Sequence, residues 1–146
     1  MPSGTQAFDW TIAPEWNIRD AWIKDPHGNK IIDFKTHNLH VLNYSGPING
    51  KFQLADLKKH IFTMPDQPDL IPYRTSYYNI NWGFCMSHDQ LMSLPDGEYE
   101  AFIDSDHDPK GSLTYGEYFL QGESDEIFLF SAHCCSSLSG MRARHP

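Results

Sequence analysis

The chain has 146 residues, enough for one domain with a core of its own. Its formal net charge of −8 argues against a nucleic-acid surface, which needs a basic patch to displace counterions. Aromatic residues at 14%, punctuated by ten glycines and ten prolines, lean the chain towards β structure.

In "WNIRDAWIK", 16–24, the residues Trp16, Ile18, Trp22 and Ile23 can face a core. "DPHGN" at 25–29 is a strong turn signal, and "KIIDF" follows it. Residues 16–34 therefore read as a β-hairpin. "NLHVLNYS", 38–45, reads as a third strand, ended by the turn "GPING". Leu54, Leu57, Ile61 and Phe62 share one helical face, which predicts a short amphipathic helix over 53–62. Three prolines make 64–73 an irregular loop. "SYYNINWGFCMS", 76–87, reads as an aromatic strand. Ser87 and Gln90 form a capping-box pattern before a helical turn or two at 88–94. After the "PDG" turn, "EYEAFIDS" at 98–105 sets Tyr99, Ala101 and Ile103 against Glu98, Glu100 and Phe102, the alternation of a half-buried strand. "SLTYGEYFLQG", 112–122, is expected to pair back on it. "EIFLFSAH", 126–133, has no polar alternation, which suits a strand buried on both faces. The fold class is thus mainly β with short helices, α+β: a β-rich sandwich or barrel, then a strand of different character.

No apolar run is long enough for a membrane helix, and "MPSGTQAFDW" lacks the basic and apolar regions of a signal peptide. Three cysteines make no disulfide framework, so a reduced, cytoplasmic protein is expected.

Several groups invite a chemical reading. Asp104, Asp106 and Asp108 match the first three ligand positions of a calcium loop, but Pro109 and Tyr115 stand where glycine and glutamate are needed. A solvated hairpin loop is the better reading. His37 and His40 are three apart, so on a strand they face opposite sides, and His88 beside Asp89 adds no third ligand. Tyr77, Tyr78, Trp82 and Phe84 are candidates for a stacking platform for a sugar or base, although aromatics in a strand more often pack a core. Cys134 and Cys135 are candidate nucleophiles with His133 as base, but strand neighbours point oppositely, and Ser137 lacks the glycine of a nucleophile elbow. No catalytic residue is assigned. His133 remains a candidate metal ligand at the end of a buried strand.

The stretches "PSGTQAFDWTIAPEWNIRDAWIKDPHGNKIIDF", "MPDQPDLIPYRTSYYNINWGFCMSH", "DGEYEAFIDS", "GSLTYGE" and "EIFLFSAHCC" resemble a bacterial family of zinc aminopeptidase-like proteins with an inserted domain of unknown function and a following winged-helix domain. The resemblance runs from residue 2 to about 135. It implies that residues 1–125 are the β-rich inserted domain with its flank, and that 126–146 begin the α/β peptidase-like domain. In the family this strand ends in His-x-Cys-His-Pro-Ser, followed by Ala-Asn-Asp-Asn-x-Ser-Gly. His133 matches the expected first metal ligand and Cys135 the cysteine. Ser136 and Ser137 then replace His-Pro, and the Asn-Asp-Asn is absent. The resemblance therefore implies a fragment, inactive alone and without metal, of a protein using two zinc ions on a small peptide or saccharide. The alternatives are a binding module for a saccharide or peptide, and a structural remnant.

Overall fold

A computed structural model describes residues 1–114, 116–123 and 128–130. Its centre is a four-stranded antiparallel sheet in the order β4-β3-β8-β5, where β3 is Glu15–Lys24, β4 Lys30–Asp33, β5 Ile48–Gln53 and β8 Glu98–Asp108. The expected hairpin is present as β3 and β4. Its turn is closed by the Asp25 carboxylate, which accepts from the backbone N–H of His27 at 2.9 Å and of Asn29 at 2.8 Å. Gly28 sits there at φ +86°, where other residues are strained.

The long strand β8 lies between β3 and β5, with Ile18 opposite Ser105, Ala21 opposite Ile103 and Ile48 also opposite Ile103. The predicted alternation holds: Tyr99, Ala101 and Ile103 are buried. A bulge between Ile18 and Asp20 shifts the phase of β3 by one residue. It brings Trp16 and Ile18 onto the same core-facing side as Ala21 and Ile23, whereas Trp22 stacks on Phe102 with ring centroids 5.2 Å apart on the other side. Trp22 therefore does not face the core as its sequence position suggests.

The covering layer supplies the rest of the core. Leu54 and Leu57 of α1 (Leu54–Leu57) are buried, and a 3-10 turn over Lys58–His60 continues the helix. The parallel pair β6 (Ile61–Phe62) and β7 (Phe84–Cys85) adds Ile61, Phe84 and Cys85. Helix α2 (His88–Met92) starts as expected: the Ser87 hydroxyl accepts from Gln90 N–H at 3.1 Å. The Gln90 side chain does not close the box. It donates instead to the Ile31 carbonyl at 2.8 Å and ties α2 to β4.

The mainly β, α+β class is as read from the sequence, and the four-stranded sheet is open, with β4 and β5 as its edges, rather than closed into a barrel. Ile61 and Phe62, expected to end the helix over 53–62, pair as strand β6, and β5 begins within the "GPING" read as a turn. Four further stretches differ. Residues 38–45 hold a 3-10 turn, Asn38–His40, capped by the His37 ring, and then only single bridges from Val41 and Asn43. Residues 76–87 contribute only Phe84–Cys85 as strand, because polar side chains take the neighbouring backbone: Ser76 donates to the Asn43 and Tyr44 carbonyls, and Asn81 accepts from Trp82 N–H. None of the described residues of 112–122 pairs with β8, which has β3 along Glu100–Asp108 and β5 along Glu98–Ile103. Residues 111–113 instead meet the N-terminus: Ser3 N–H donates to the Gly111 carbonyl at 3.0 Å and Leu113 N–H to the Met1 carbonyl at 2.8 Å. Finally, Phe128, Leu129 and Phe130 carry no strand pairing and are 82%, 90% and 93% exposed, so the burial expected of 126–133 is not seen at these three residues. No described residue supplies the two packed faces that such a strand needs. The rest of that stretch lies outside the described residues. Among the described residues no helix is long and apolar enough to cross a membrane.

Candidate functional site

At the end of the sheet beyond the bulge, the core face opens into a cleft of about 210 Å³. Trp16 and Ile18 line it from β3, and Phe34 from the end of the hairpin. The 3-10 turn brings Asn38 and Leu39, and the segment after it brings Val41 and Asn43. Tyr73 completes the lining from the proline-rich loop. Leu39 and Val41 are buried and form its base; Asn38 is exposed at its rim. None of these eight residues carries a charge.

Hydrogen bonds hold Trp16, Asn43 and Tyr73 in this lining. The Trp16 indole N–H donates to the Ser45 carbonyl at 2.9 Å, which also accepts from the Ser105 hydroxyl at 2.7 Å. Ser45 is fully buried, and its Oγ accepts from Gly83 N–H at 3.2 Å, so one residue ties β3, β8 and the approach to β7 together. Asn43 Nδ2 donates to the Tyr73 hydroxyl oxygen at 2.8 Å. That leaves the phenolic proton of Tyr73 for another acceptor.

The aromatic surface continues away from the cleft. Trp16 stacks on Tyr44 with centroids 5.9 Å apart and planes 18° apart. Tyr44 meets Tyr77 edge-on at 4.7 Å, and Tyr77 meets Tyr78 at 4.9 Å. Trp10 of the small hairpin β1 (Gln6–Ala7) and β2 (Trp10–Thr11) lies 6.5 Å from Tyr77. Tyr44 itself has φ 63°, a strained value for a bulky residue, and His107 is 3.1 Å from its carbonyl oxygen. Burial, with Tyr77 nearby, pushes the Tyr44 phenol above its ordinary pKa, so it stays a neutral ring.

The structure redistributes the other candidates. Of the supposed platform, Tyr77 and Tyr78 belong to this aromatic series, Phe84 is buried in the core, and Trp82 stacks on His60. The four do not form one surface. Asp104 and Asp106 lie on β8 and both bind the Arg19 guanidinium, and Asp108 caps the Lys110 backbone at 2.8 Å. Two of these carboxylates are engaged by one guanidinium and the third by a turn, so the three do not converge as a set of metal ligands. His37 and His40 are close after all, at 5.6 Å between ring centroids, because a 3-10 turn puts positions three apart on one side. Their Nδ1 atoms are used by the backbone: His37 accepts from Leu39 N–H and His40 bonds the Cys85 carbonyl. Burial lowers the His40 pKa despite that bond. His88 Nδ1 meets the Thr63 hydroxyl at 3.1 Å. Among the described residues no group of three or more His, Cys, Asp or Glu is placed to hold a metal ion. His133, Cys134, Cys135 and Ser137 lie outside the described residues.

Sequence reasoning missed Asn38, Asn43, Tyr73 and Trp16 as a site. They come from a strand, a turn and a loop, with no shared spacing; the one signal was the excess of aromatics.

Residues 15–106 match a family model described as a domain of unknown function, DUF2172. A Clostridium acetobutylicum protein named "Putative polysaccharide biosynthesis protein with aminopeptidase-like domain" is 47% identical over 135 residues. That alignment covers 92% of this chain and 31% of the relative, so the chain spans about a third of that protein's length. A crystal structure described as that of a "putative peptidase" from Clostridium acetobutylicum superposes with a TM-score of 0.70 at 47% identity, over 73% of this chain and 25% of the other.

Proposed function

Because this chain belongs to the DUF2172 family and is similar to proteins bearing peptidase and aminopeptidase-like names, we propose that it is the ligand-gripping, non-catalytic domain of an aminopeptidase-like protein. Residues 1–125 are the inserted domain, and 126–146 begin the peptidase-like part. The observation that carries this reading is the uncharged aromatic cleft, a concave site with a few polar groups on a rigid sheet. A relative named for polysaccharide biosynthesis makes a saccharide a ligand class to set beside a peptide.

The described residues do not gather ligands for the two zinc ions that the resemblance implies. On this reading zinc belongs to the complete protein, with His133 as one ligand. A cytoplasmic location is part of the same proposal; the buried, unpaired Cys85 is compatible with it.

The test is an aminopeptidase assay on the purified chain with added zinc, run beside a binding titration with short peptides and sugars. Saturable binding without turnover is expected. Zinc-dependent release of an amino acid, or no binding of either class, overturns the proposal.

A further inference from the structure

We infer that the cleft is a subsite for one neutral pyranose ring, an inference that rests on the ligand-gripping reading above. Three features select that chemistry. The walls include the rings of Trp16, Phe34 and Tyr73, and the electron-rich face of an aromatic ring suits the C–H face of a sugar. The polar groups are two side-chain amides, Asn38 and Asn43, and one phenol, which offer donors and acceptors together, as vicinal hydroxyls require. The lining has no charge, so a phosphate, a peptide amine or a carboxylate would enter unpaired and lose its solvation. The size agrees: about 210 Å³ is below the roughly 300–1,000 Å³ that holds a drug-sized ligand. The series Tyr44, Tyr77 and Tyr78 leads from Trp16 to solvent, with Tyr78 83% exposed, and gives a longer chain a second ring to stack on.

The experiment titrates the whole chain with methyl β-glucoside, N-acetylglucosamine and chitotriose, and separately with Leu-Gly-Gly, following tryptophan emission and heat of binding. The variants are Tyr73→Phe, which keeps the ring, Asn38→Ala and Tyr78→Ala, both at exposed positions; a melting curve confirms that each is folded. Saturable binding of a sugar is expected, weakened about five- to tenfold by Tyr73→Phe and by Asn38→Ala, the loss of one hydrogen bond each. Chitotriose should bind more tightly than N-acetylglucosamine, and Tyr78→Ala should remove that difference alone. A sugar that binds equally to the parent, Tyr73→Phe and Asn38→Ala sits elsewhere and overturns the inference. Saturation by Leu-Gly-Gly alone, sensitive to the same variants, overturns the sugar class and sustains the ligand-gripping reading. Saturation by neither overturns both.

Discussion

The rings of His60 and Trp82 lie face to face, with centroids 3.7 Å apart and planes 11° from parallel, and His60 Nδ1 is 3.2 Å from the Trp82 carbonyl oxygen. This stack, with Phe52 5.2 Å from Trp82, covers the sheet near α1. His60→Ala should cost about 1 kcal/mol, the usual size of an aromatic pair contribution. It should also shift tryptophan emission to the red as Trp82 gains solvent. An unchanged spectrum and urea midpoint would show that the stack contributes nothing.

Gly83 sits where β6 and β7 approach. A Cβ there would lie 2.6 Å from the His60 carbonyl oxygen and 2.8 Å from the Phe62 ring. The first is backbone and has no room to retreat. Gly83→Ala should therefore destabilise the domain by about 2–3 kcal/mol, the cost of overpacking a buried site. Equilibrium unfolding in urea measures this; a loss below about 0.5 kcal/mol, within the range of neutral surface changes, contradicts it.

Acid should weaken the fold in two stages. His40 has a folded pKa lowered by burial, so the unfolded chain takes up its proton first. Its contribution is present above the unfolded pKa of about 6.5 and fades as pH falls through the folded value. Asp104 and Asp106 follow. Hydrogen bonds from Arg19 hold both carboxyls below their ordinary range, so their contribution is present above about pH 4 and is lost as pH falls through the lowered values. All three partners are at the surface, so this second effect is small and screened by salt. Melting temperatures from pH 7.5 to 3 should show both steps. Arg19→Ala should reduce only the lower one, which Asp25, Asp33 and Asp56, also lowered in the folded chain, keep from vanishing, and His40→Gln should reduce only the upper.

Cys85 is fully buried, and burial pushes its thiol up to about 12. Little thiolate forms near neutral pH, and a reagent has no path to it. Alkylation at pH 8, followed by mass mapping of the peptide carrying Cys85, should find it unmodified in the native chain and modified in denaturant. Native labelling at the denatured rate would mean that this part of the core opens readily.

Local chemistry made some of this legible in advance. The "DPHGN" turn, the Ser87 cap and the alternation of Tyr99, Ala101 and Ile103 each express a rule that acts within a few residues. β5 escaped notice because "GPING", whose last three residues begin it, reads as a turn, although Ile48 and Phe52 face inward while Asn49, Lys51 and Gln53 are exposed. At 38–45, a histidine ring accepting a backbone N–H outweighed strand propensity. The cleft was the least legible feature. It depends on the phase shift near Arg19, which turns Trp16 inward, and on the Asn43–Tyr73 bond across 30 residues. Neither leaves a mark in local spacing.

The junction of residues 1–3 with 111–113 has a consequence for how such a domain travels through evolution. A chain that leaves where it arrived closes its excursion on itself. A host polypeptide could receive this unit between two adjacent residues without moving its own scaffold. The same closeness makes the domain a candidate for circular permutation: a short linker from 113 back to 1, with new ends opened in the exposed loop at 65–69, should return the same sheet.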